Sequence, residues 1–169
     1  TKGPWISGDS GFSIGKYDEF RPNVYNTDLF ESVRNIHVGI DIGGPVGTPC
    51  MAFMEGKIFD FGYNPAAGDY GNVVITEHII SSVKIWSLYG HLDSQSIINK
   101  NKGQFIEKGE VIGFFGDESE NGGWEPHLHF QLSVIEPETH DLPGVVSIED
   151  RKSALLKFPD PRLVLGPIY

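Results

Sequence analysis

Short apolar runs, each bounded by turn-forming residues, constrain the fold of this 169-residue chain most strongly. The 21 glycines and 11 prolines separate runs of five to seven residues, a length typical of strands. The chain is long enough for one hydrophobic core, and it contains no repeat or low-complexity segment. We therefore predict a single all-β domain. The predicted core strands are residues 49–53, 57–61, 72–77, 83–88, 111–115 and 128–134.

The last of these runs contains two histidines at a spacing of two. Within residues 126–134, leucine and phenylalanine alternate with histidine, glutamine and serine, which predicts a half-buried strand. His127 and His129 then point to the same face, with Cα atoms roughly 6.6–7 Å apart. At that separation, one imidazole can bind a metal ion while the other reaches the metal's water or a substrate.

A second cluster is the segment His37-Val-Gly-Ile-Asp41. In an ideal strand, the ends of this segment would lie about 13 Å apart, too far to meet on one ion, so we predict a bent strand with the bend at Gly39. A helix would also bring the two side chains together, but glycine, the β-branched neighbours and the following residues 43–45 oppose one. Together, the two clusters hold the donors of a catalytic zinc site with three protein ligands and an open fourth position.

A third segment, Leu88-Tyr-Gly-His-Leu92, lies between these two clusters. In this order, the three segments resemble the lysostaphin-type zinc metallopeptidases, whose pattern is HxxxD, then a Tyr-x-His-Leu-like element, then a late HxH. The resemblance covers about residues 34–134, and the connecting segments 45–49, 55–58, 70–75 and 108–113 also fit it. It implies a compact antiparallel β-sandwich or open barrel of the duplicated hybrid motif type.

The resemblance also implies a role for each residue of the pattern. His37, Asp41 and His129 would bind one zinc ion per chain, and His91 and His127 would be an unligated catalytic pair. Zinc lowers the pKa of its bound water from 15.7 to about 7 and polarises a peptide carbonyl. The implied activity is that of a metalloendopeptidase that hydrolyses peptide bonds in peptidoglycan cross-bridges or stem peptides by attack of zinc-bound hydroxide.

The general base of this reaction must be a histidine, because the chain contains no HExxH motif and so lacks the usual metalloprotease glutamate. One of His91 and His127 would accept the water proton, and the other would stabilise the oxyanion or protonate the leaving amine. The residues alone leave open which histidine does which.

Other residues of chemical interest have simpler interpretations. His78 matches a family position without a catalytic role, and His140 lies in a polar loop, so we expect both to be structural. Trp124 and Tyr63 suit the wall of a substrate groove and the cover of the core equally well. Cys50, the only cysteine, excludes an internal disulfide and is expected to be buried rather than reactive.

The two ends lie outside the pattern. We expect residues 1–33 to form an extended arm on the core (34–135), and residues 136–169 to form a loop and a short helix. Ser147, as N-cap, and Asp150 predict a helix over 147–157, which the prolines at 159 and 161 end. This tail resembles that of lysostaphin-like modules within larger bacterial polypeptides, some joined to a pyridoxal-phosphate aminotransferase-like domain, so other domains of a larger polypeptide are possible partners. With Thr1 in place of an initiator methionine, we expect that the N-terminus was trimmed or replaced.

Charge restricts the possible partners. A net charge of −10 and a pI near 4.9 exclude nucleic acid as a partner and disfavour tight, nonspecific adherence to an anionic cell wall. No apolar run of 18 residues occurs, which excludes a membrane-spanning helix in this sequence.

Substrate identity is the inference that the sequence constrains least, because the loop at 116–126 is longer and more acidic than is usual in the family. Two alternatives therefore remain beside a peptidoglycan endopeptidase in the cell envelope. One is a zinc hydrolase module of a larger cytoplasmic enzyme that acts on another amide. The other is a noncatalytic regulatory domain with the same fold, although such domains typically lose metal ligands and this chain keeps them all.

Overall fold

The computed structural model describes residues 6–7, 12–22, 24 and 34–169, and it consists mainly of antiparallel strands. The strands are β1 (Ile6–Ser7), β2 (Ser13–Gly15), β3 (Glu19–Phe20), β4 (Ile36–His37), β5 (Ile40–Gly43), β6 (Pro49–Met51), β7 (Gly56–Asn64), β8 (Gly71–Ile80), β9 (Val83–Leu92), β10 (Phe105–Ile106), β11 (Val111–Phe114), β12 (His127–Ser133) and β13 (Val145–Val146). A 3-10 helix (Ser94–Ile97) and two short α-helices, α1 (Arg151–Lys157) and α2 (Arg162–Leu165), complete these elements. The all-β prediction is confirmed, and each of the six predicted core strands is present.

Eight strands form one sheet in the order β1-β2-β5-β12-β9-β8-β7-β10. Two smaller sheets, β11-β6 and β13-β4-β3, lie beside it, and neighbouring strands in all three sheets are antiparallel. Strands β5, β12 and β9 are therefore direct neighbours in the middle of the large sheet, which places their side chains next to one another.

Hydrophobic clusters cover both faces of the large sheet. Val74 and Tyr89 belong to one cluster, whereas their chain neighbours Val73 and Leu88 belong to the other. Because successive strand residues point to opposite faces, the two clusters lie on opposite sides of the sheet. Strand β12, predicted to be half-buried, is in fact buried at all seven positions. Its polar face is covered by the segment around residues 142–146, so the alternation marks a polar interior and not a solvent-facing side.

Strands from both ends of the chain pair with the central part. In the N-terminal region, β2 pairs with β5 and β3 pairs with β4, and from the C-terminal region β13 pairs with the other side of β4. Much of the predicted arm, including most of residues 23–33, lies outside the described residues. The division into segments 1–33, 34–135 and 136–169 stays a prediction.

The C-terminal helix begins later than the sequence predicts. The Ser147 hydroxyl accepts a hydrogen bond from the Asp150 N–H (3.1 Å) and donates one to its carboxylate (2.9 Å). This exchange closes the turn before α1, which starts at Arg151, so the predicted start at Ser147 is wrong. The helix ends at Lys157, as predicted. Phe158, the next residue, packs in the hydrophobic cluster that also contains Val73 and Leu88. Among the described residues, no helix is long and apolar enough to cross a membrane.

Candidate metal centre and histidine pair

A bend between β4 and β5 brings His37 and Asp41 together, as the sequence predicts. The two strands belong to different sheets, and Gly39 lies in the bend between them. A Cβ atom at this position would lie 2.5 Å from both Cε1 and Nε2 of His129, and 3.0 Å from the Phe130 carbonyl oxygen. Glycine is therefore required by close packing, and the bend leaves His37 Nε2 3.2 Å from an Asp41 carboxylate oxygen.

His129 completes a buried group of three possible metal ligands. Strand register places it directly opposite Asp41, and its Nδ1 lies 2.9 Å from Asp41 Oδ1 and 3.2 Å from His37 Nε2. The three residues are 1–3% exposed. Zinc at 2.0–2.1 Å from each of its tetrahedral ligands would place those ligands about 3.3 Å apart. The distances of 2.9–3.2 Å between neighbouring donor atoms are near that value, and one donor atom from each residue can be chosen so that all three lie within 4.8 Å of one another, so the donor set suits a zinc ion.

Main-chain and side-chain oxygens orient the two histidines of this group. Nδ1–H of His37 donates to the Lys16 carbonyl at 2.8 Å, which leaves its Nε2 as the atom that faces the centre. Nε2–H of His129 donates to the Gln131 side-chain oxygen at 2.9 Å, and the Tyr70 hydroxyl lies 3.4 Å from the same nitrogen. Metal-binding histidines usually donate their second ring N–H to an oxygen in this way, because the bond fixes tautomer and ring orientation.

Asp41 is held as a carboxylate. Burial on its own would raise the pKa of this residue, but His37, the Arg21 guanidinium and the contact with His129 together hold it well below the usual value. Arg21 Nη1 lies 2.7 Å from Asp41 Oδ2. Burial is also the main reason why the pKa of His37 falls to about 4, so its ring is neutral and able to bind a metal at neutral pH.

His91 and His127 form a close pair beside this group, with their rings tilted by 37°. Their ring centroids are 4.1 Å apart, and His127 Nε2 lies 3.9 Å from Asp41 Oδ1. Each ring donates from Nδ1 to a main-chain carbonyl at 2.7 Å, that of Asn121 for His91 and that of Glu125 for His127. In the neutral rings, this places the proton on Nδ1 and the lone pair on Nε2.

The environment of the pair keeps both rings neutral. Burial lowers the pKa of His127, and burial together with the nearby His127 lowers the pKa of His91 well below its usual value. His91 also has a left-handed backbone, with φ at 64°, which is uncommon for a non-glycine residue and is often found at functional sites. The structure therefore brings together all five of the predicted site residues.

The remaining residues singled out in the sequence lie in different places. His78 is buried in a hydrogen-bonded network with Thr76 and Ser87, as expected of a structural residue. His140 lies in a loop. Trp124 is almost buried, with its ring 6.4 Å from that of His91, so it borders the site, whereas Tyr63 is 49% exposed on β7.

Cys50 is buried, as expected, and burial raises the pKa of its thiol to about 12. The loop at 116–126 contributes Glu118, Glu125 and Pro126 to an open groove of about 360 Å³. Its opposite wall is formed by Ser13 and residues 43–44. Its lining residues 43–44 and 125–126 adjoin two strands of the site. Strand β5 carries Asp41, and strand β12 carries His127 and His129.

Several contacts of the site were not predicted from the sequence, among them those of Gln131, the Lys16 carbonyl and the Arg21 side chain. The contact between Gln131 and His129 could have been predicted, because the two residues are two apart on the same strand face. The contacts of the Lys16 carbonyl and the Arg21 side chain could not, because these residues lie in a region without clear periodicity.

Comparison with known protein families shows which family this chain belongs to. The family model described as Peptidase family M23 matches residues 35–141, which is more than half of the chain. The chain belongs to peptidase family M23. The matched region contains all five residues of the metal centre and the histidine pair, and the resemblance to lysostaphin-type metallopeptidases is confirmed.

Several M23 relatives match about the same part of this M23 protein. DD-carboxypeptidase/endopeptidase Mpg of Neisseria meningitidis is 35% identical over 99 residues, which cover 59% of this chain and 20% of Mpg. Lysostaphin of Staphylococcus staphylolyticus is 34% identical over 99 residues (59% and 19%). Peptidoglycan DD-endopeptidase ShyA of Vibrio cholerae is 34% identical over 98 residues (58% and 20%). The chain spans about a fifth of the length of these relatives.

Solved structures support the same fold. The catalytic domain of the antimicrobial peptidase lysostaphin from Staphylococcus simulans has a TM-score of 0.54 at 23% identity, covering 86% of this chain and 93% of that domain. A mutant catalytic domain of the prophage-encoded M23 protein EnpA from Enterococcus faecalis has a TM-score of 0.53 at 22% identity (87% and 91%). At these identities, the likeness establishes the all-β M23 fold.

Proposed function

We propose that this M23 protein is a zinc-dependent metalloendopeptidase that cleaves peptide bonds in peptidoglycan cross-bridges or stem peptides. The observation that carries the proposal is the buried group of His37, Asp41 and His129, in which each histidine nitrogen lies 2.9–3.2 Å from one Asp41 oxygen and the two nitrogens lie 3.2 Å apart, beside a pair of neutral histidines. The substrate class is taken from relatives named as peptidoglycan endopeptidases, of which ShyA is one.

In this proposal, His37 Nε2, His129 Nδ1 and one Asp41 oxygen would hold one zinc ion per chain. Zinc, when bound, supplies a Lewis acid that polarises the scissile carbonyl and lowers the pKa of a water molecule. The protein contributes the fixed donor atoms, because each histidine is oriented by an oxygen on its far side and Asp41 is held ionised.

His91 and His127 would transfer the proton from the attacking water to the leaving amine. Each has its Nε2 lone pair available in the neutral ring, so one can accept the proton of the attacking water, and that proton can then reach the leaving amine from the same ring or by way of the other. Their rings are 4.1 Å apart, so a positive charge on one disfavours a positive charge on the other. The pair would therefore hold one added proton at a time, taken from the water and given to the amine.

A second candidate is a hydrolase for a different amide, and the groove favours it. Glu118 and Glu125 line the open groove, and the chain as a whole carries a net charge of −10. An acidic groove suits a peptide or amide that carries a positive charge better than an acidic wall polymer. Both candidates use the same metal centre and the same histidine pair.

The test is incubation of zinc-loaded protein with purified peptidoglycan and with a panel of neutral, cationic and anionic peptides, followed by mass spectrometry of the products. The control variants are His127→Ala, which removes a proposed catalytic group, and His140→Ala, which removes a loop histidine. New muropeptides that disappear only in His127→Ala support the proposal. Cleavage confined to cationic peptides supports the second candidate, and zinc binding without cleavage of any substrate contradicts both.

A further inference from the structure

Arg21 reaches the candidate metal centre from the N-terminal region, outside the residues matched by the family. It is only 4% exposed, its Nη1 donates to Asp41 Oδ2 at 2.7 Å, and its Nε donates to Glu19 Oε2 at 2.7 Å. A guanidinium stays charged in proteins, and burying a charge is costly unless it is paired and hydrogen-bonded. The two carboxylates supply that pairing.

The backbone around Arg21 is fixed to the strands that carry the candidate ligands. Its N–H donates to the Asn35 carbonyl at 2.7 Å, and Glu19 pairs with His37 across β3 and β4. On β2, Gly15 is opposite Asp41. A Cβ atom on Gly15 would collide with Nη2 of Arg21 and lie 2.9 Å from Asp41 Oδ2, so glycine makes the space in which the guanidinium meets the carboxylate.

The two oxygens of Asp41 have different neighbours. Oδ2 accepts the hydrogen bond from Arg21 and lies 3.2 Å from His37 Nε2, whereas Oδ1 lies 2.9 Å from His129 Nδ1. The hydrogen bond from Arg21 fixes Oδ2, and with it the plane of the carboxylate, so that Oδ1 stays beside His129. Outer-shell partners of this kind orient a metal ligand, and their loss typically lowers metal affinity by about 10–100-fold.

We propose that Arg21 is a positioning residue of the metal centre, holding Asp41 in the orientation in which one oxygen binds the metal. The inference rests on the proposed zinc site. It adds residues 15–21, which lie outside the matched region, to the part of the chain that builds that site. Glu19 acts one step further out, by holding the guanidinium.

The inference is tested by zinc affinity, measured by competition with a chromophoric chelator, in the full chain. Arg21→Ala should weaken zinc binding about 10–100-fold. Arg21→Lys should recover part of this loss, because it keeps a positive charge but loses the planar fork of donors. The matched control is Arg151→Ala, which removes the exposed ion pair of Arg151 with Asp18 without touching the site. It should leave zinc affinity within about twofold, because exposed pairs contribute little.

Two further measurements separate positioning from a purely structural role. Thermal unfolding of the metal-free variants reports stability, and the visible absorption of the Co²⁺-loaded proteins reports ligand geometry at the metal. An altered Co²⁺ spectrum in Arg21→Lys, at a melting temperature close to that of the parent, supports the inference even where Arg21→Ala fails to fold.

Unchanged zinc affinity and an unchanged Co²⁺ spectrum in the Arg21 variants would overturn the inference, since Arg21 would then be structural alone. Tighter zinc binding in Arg21→Ala would also overturn it, because the guanidinium would be a competitor for Asp41. If the parent protein binds no zinc, the proposed function itself fails, and this outcome is seen before any variant is compared.

Discussion

Replacement of Gly39 by alanine should remove metal binding without touching a ligand. The added Cβ would lie 2.5 Å from Cε1 and Nε2 of His129, whereas ordinary carbon contacts need about 3.5 Å, so the ring must retreat by about 1 Å. The ring has little freedom to do so, because its Nε2–H is held by Gln131 and its strand is paired on both sides. A zinc site tolerates ligand distances within about 0.2 Å, so a shift of this size is several times too large.

We expect Gly39→Ala to weaken zinc binding at least tenfold and to destabilise the fold by about 1–3 kcal/mol, the usual cost of overpacking a filled interior. The measurements are chelator competition for zinc affinity and urea unfolding of the metal-free protein. Gly47→Ala is the control. Gly47 has a positive φ of 78° and nothing near its absent Cβ, so alanine there should cost stability of about 1–2 kcal/mol but leave zinc affinity unchanged. Parent-like zinc affinity in Gly39→Ala would refute the argument that close packing at the bend positions His129.

Other expectations follow from the same geometry. His129→Ala should abolish stoichiometric zinc in elemental analysis, whereas His91→Ala and His127→Ala should keep zinc and lose roughly 10²–10⁴-fold in activity; loss of zinc in either of the latter two would show that ligands and helpers are wrongly divided. The pKa of His37 is about 4 in the folded protein, against an ordinary value of 6.5, so the unfolded chain binds the extra proton between these values and this residue should lower metal-free stability by up to about 3 kcal/mol as pH drops from 6.5 to 4. The lowered pKa values of His91 and His127 add to the fall in the parent protein. Urea unfolding across this range checks it, and an equally steep fall in His37→Gln would contradict it. Binding to purified anionic cell walls should be weak and should strengthen as salt screens the repulsion over a Debye length of about 8 Å, whereas cosedimentation that weakens with salt would indicate a local basic surface.

The positions of the candidate ligands were predictable where short-range geometry decides them. A spacing of two on a strand puts His127 and His129 on one face, and a separation of four with Gly39 between requires a bend. Both expectations depend on only a few residues of local backbone, and both are met in the structure. The roles of ligand and helper stay predictions, since the spacing places the side chains but does not say which of them binds a metal.

What the sequence could not predict depends on contacts between distant segments. Strand β12 has the alternating pattern of a half-exposed strand, but its apolar side chains pack in a hydrophobic cluster and Pro143 and Gly144 lie against its polar face, so it is buried on both faces. Arg21 and Asp41 are 20 residues apart in a region without periodicity, so no local pattern indicates their ion pair. The helix start was misplaced because Ser147 and Asp150 form the same exchange in a turn as in a capping box.

The register of three neighbouring strands places four of the five candidate site residues. His129 on β12 is opposite Asp41 on β5 and opposite Gly90 on β9, and His91, next to Gly90, has a left-handed backbone with φ at 64°. A slip of one residue in either pairing would turn the side chains of the slipped strand to the other face and separate the ligands from the helpers. Because β12 is a central, fully buried strand, such a slip would also disrupt the hydrophobic cluster that contains Leu128, Phe130 and Leu132. The arrangement of the candidate site therefore depends on the sheet, whereas the acidic loop at 116–126, which lines part of the groove, lies outside this register.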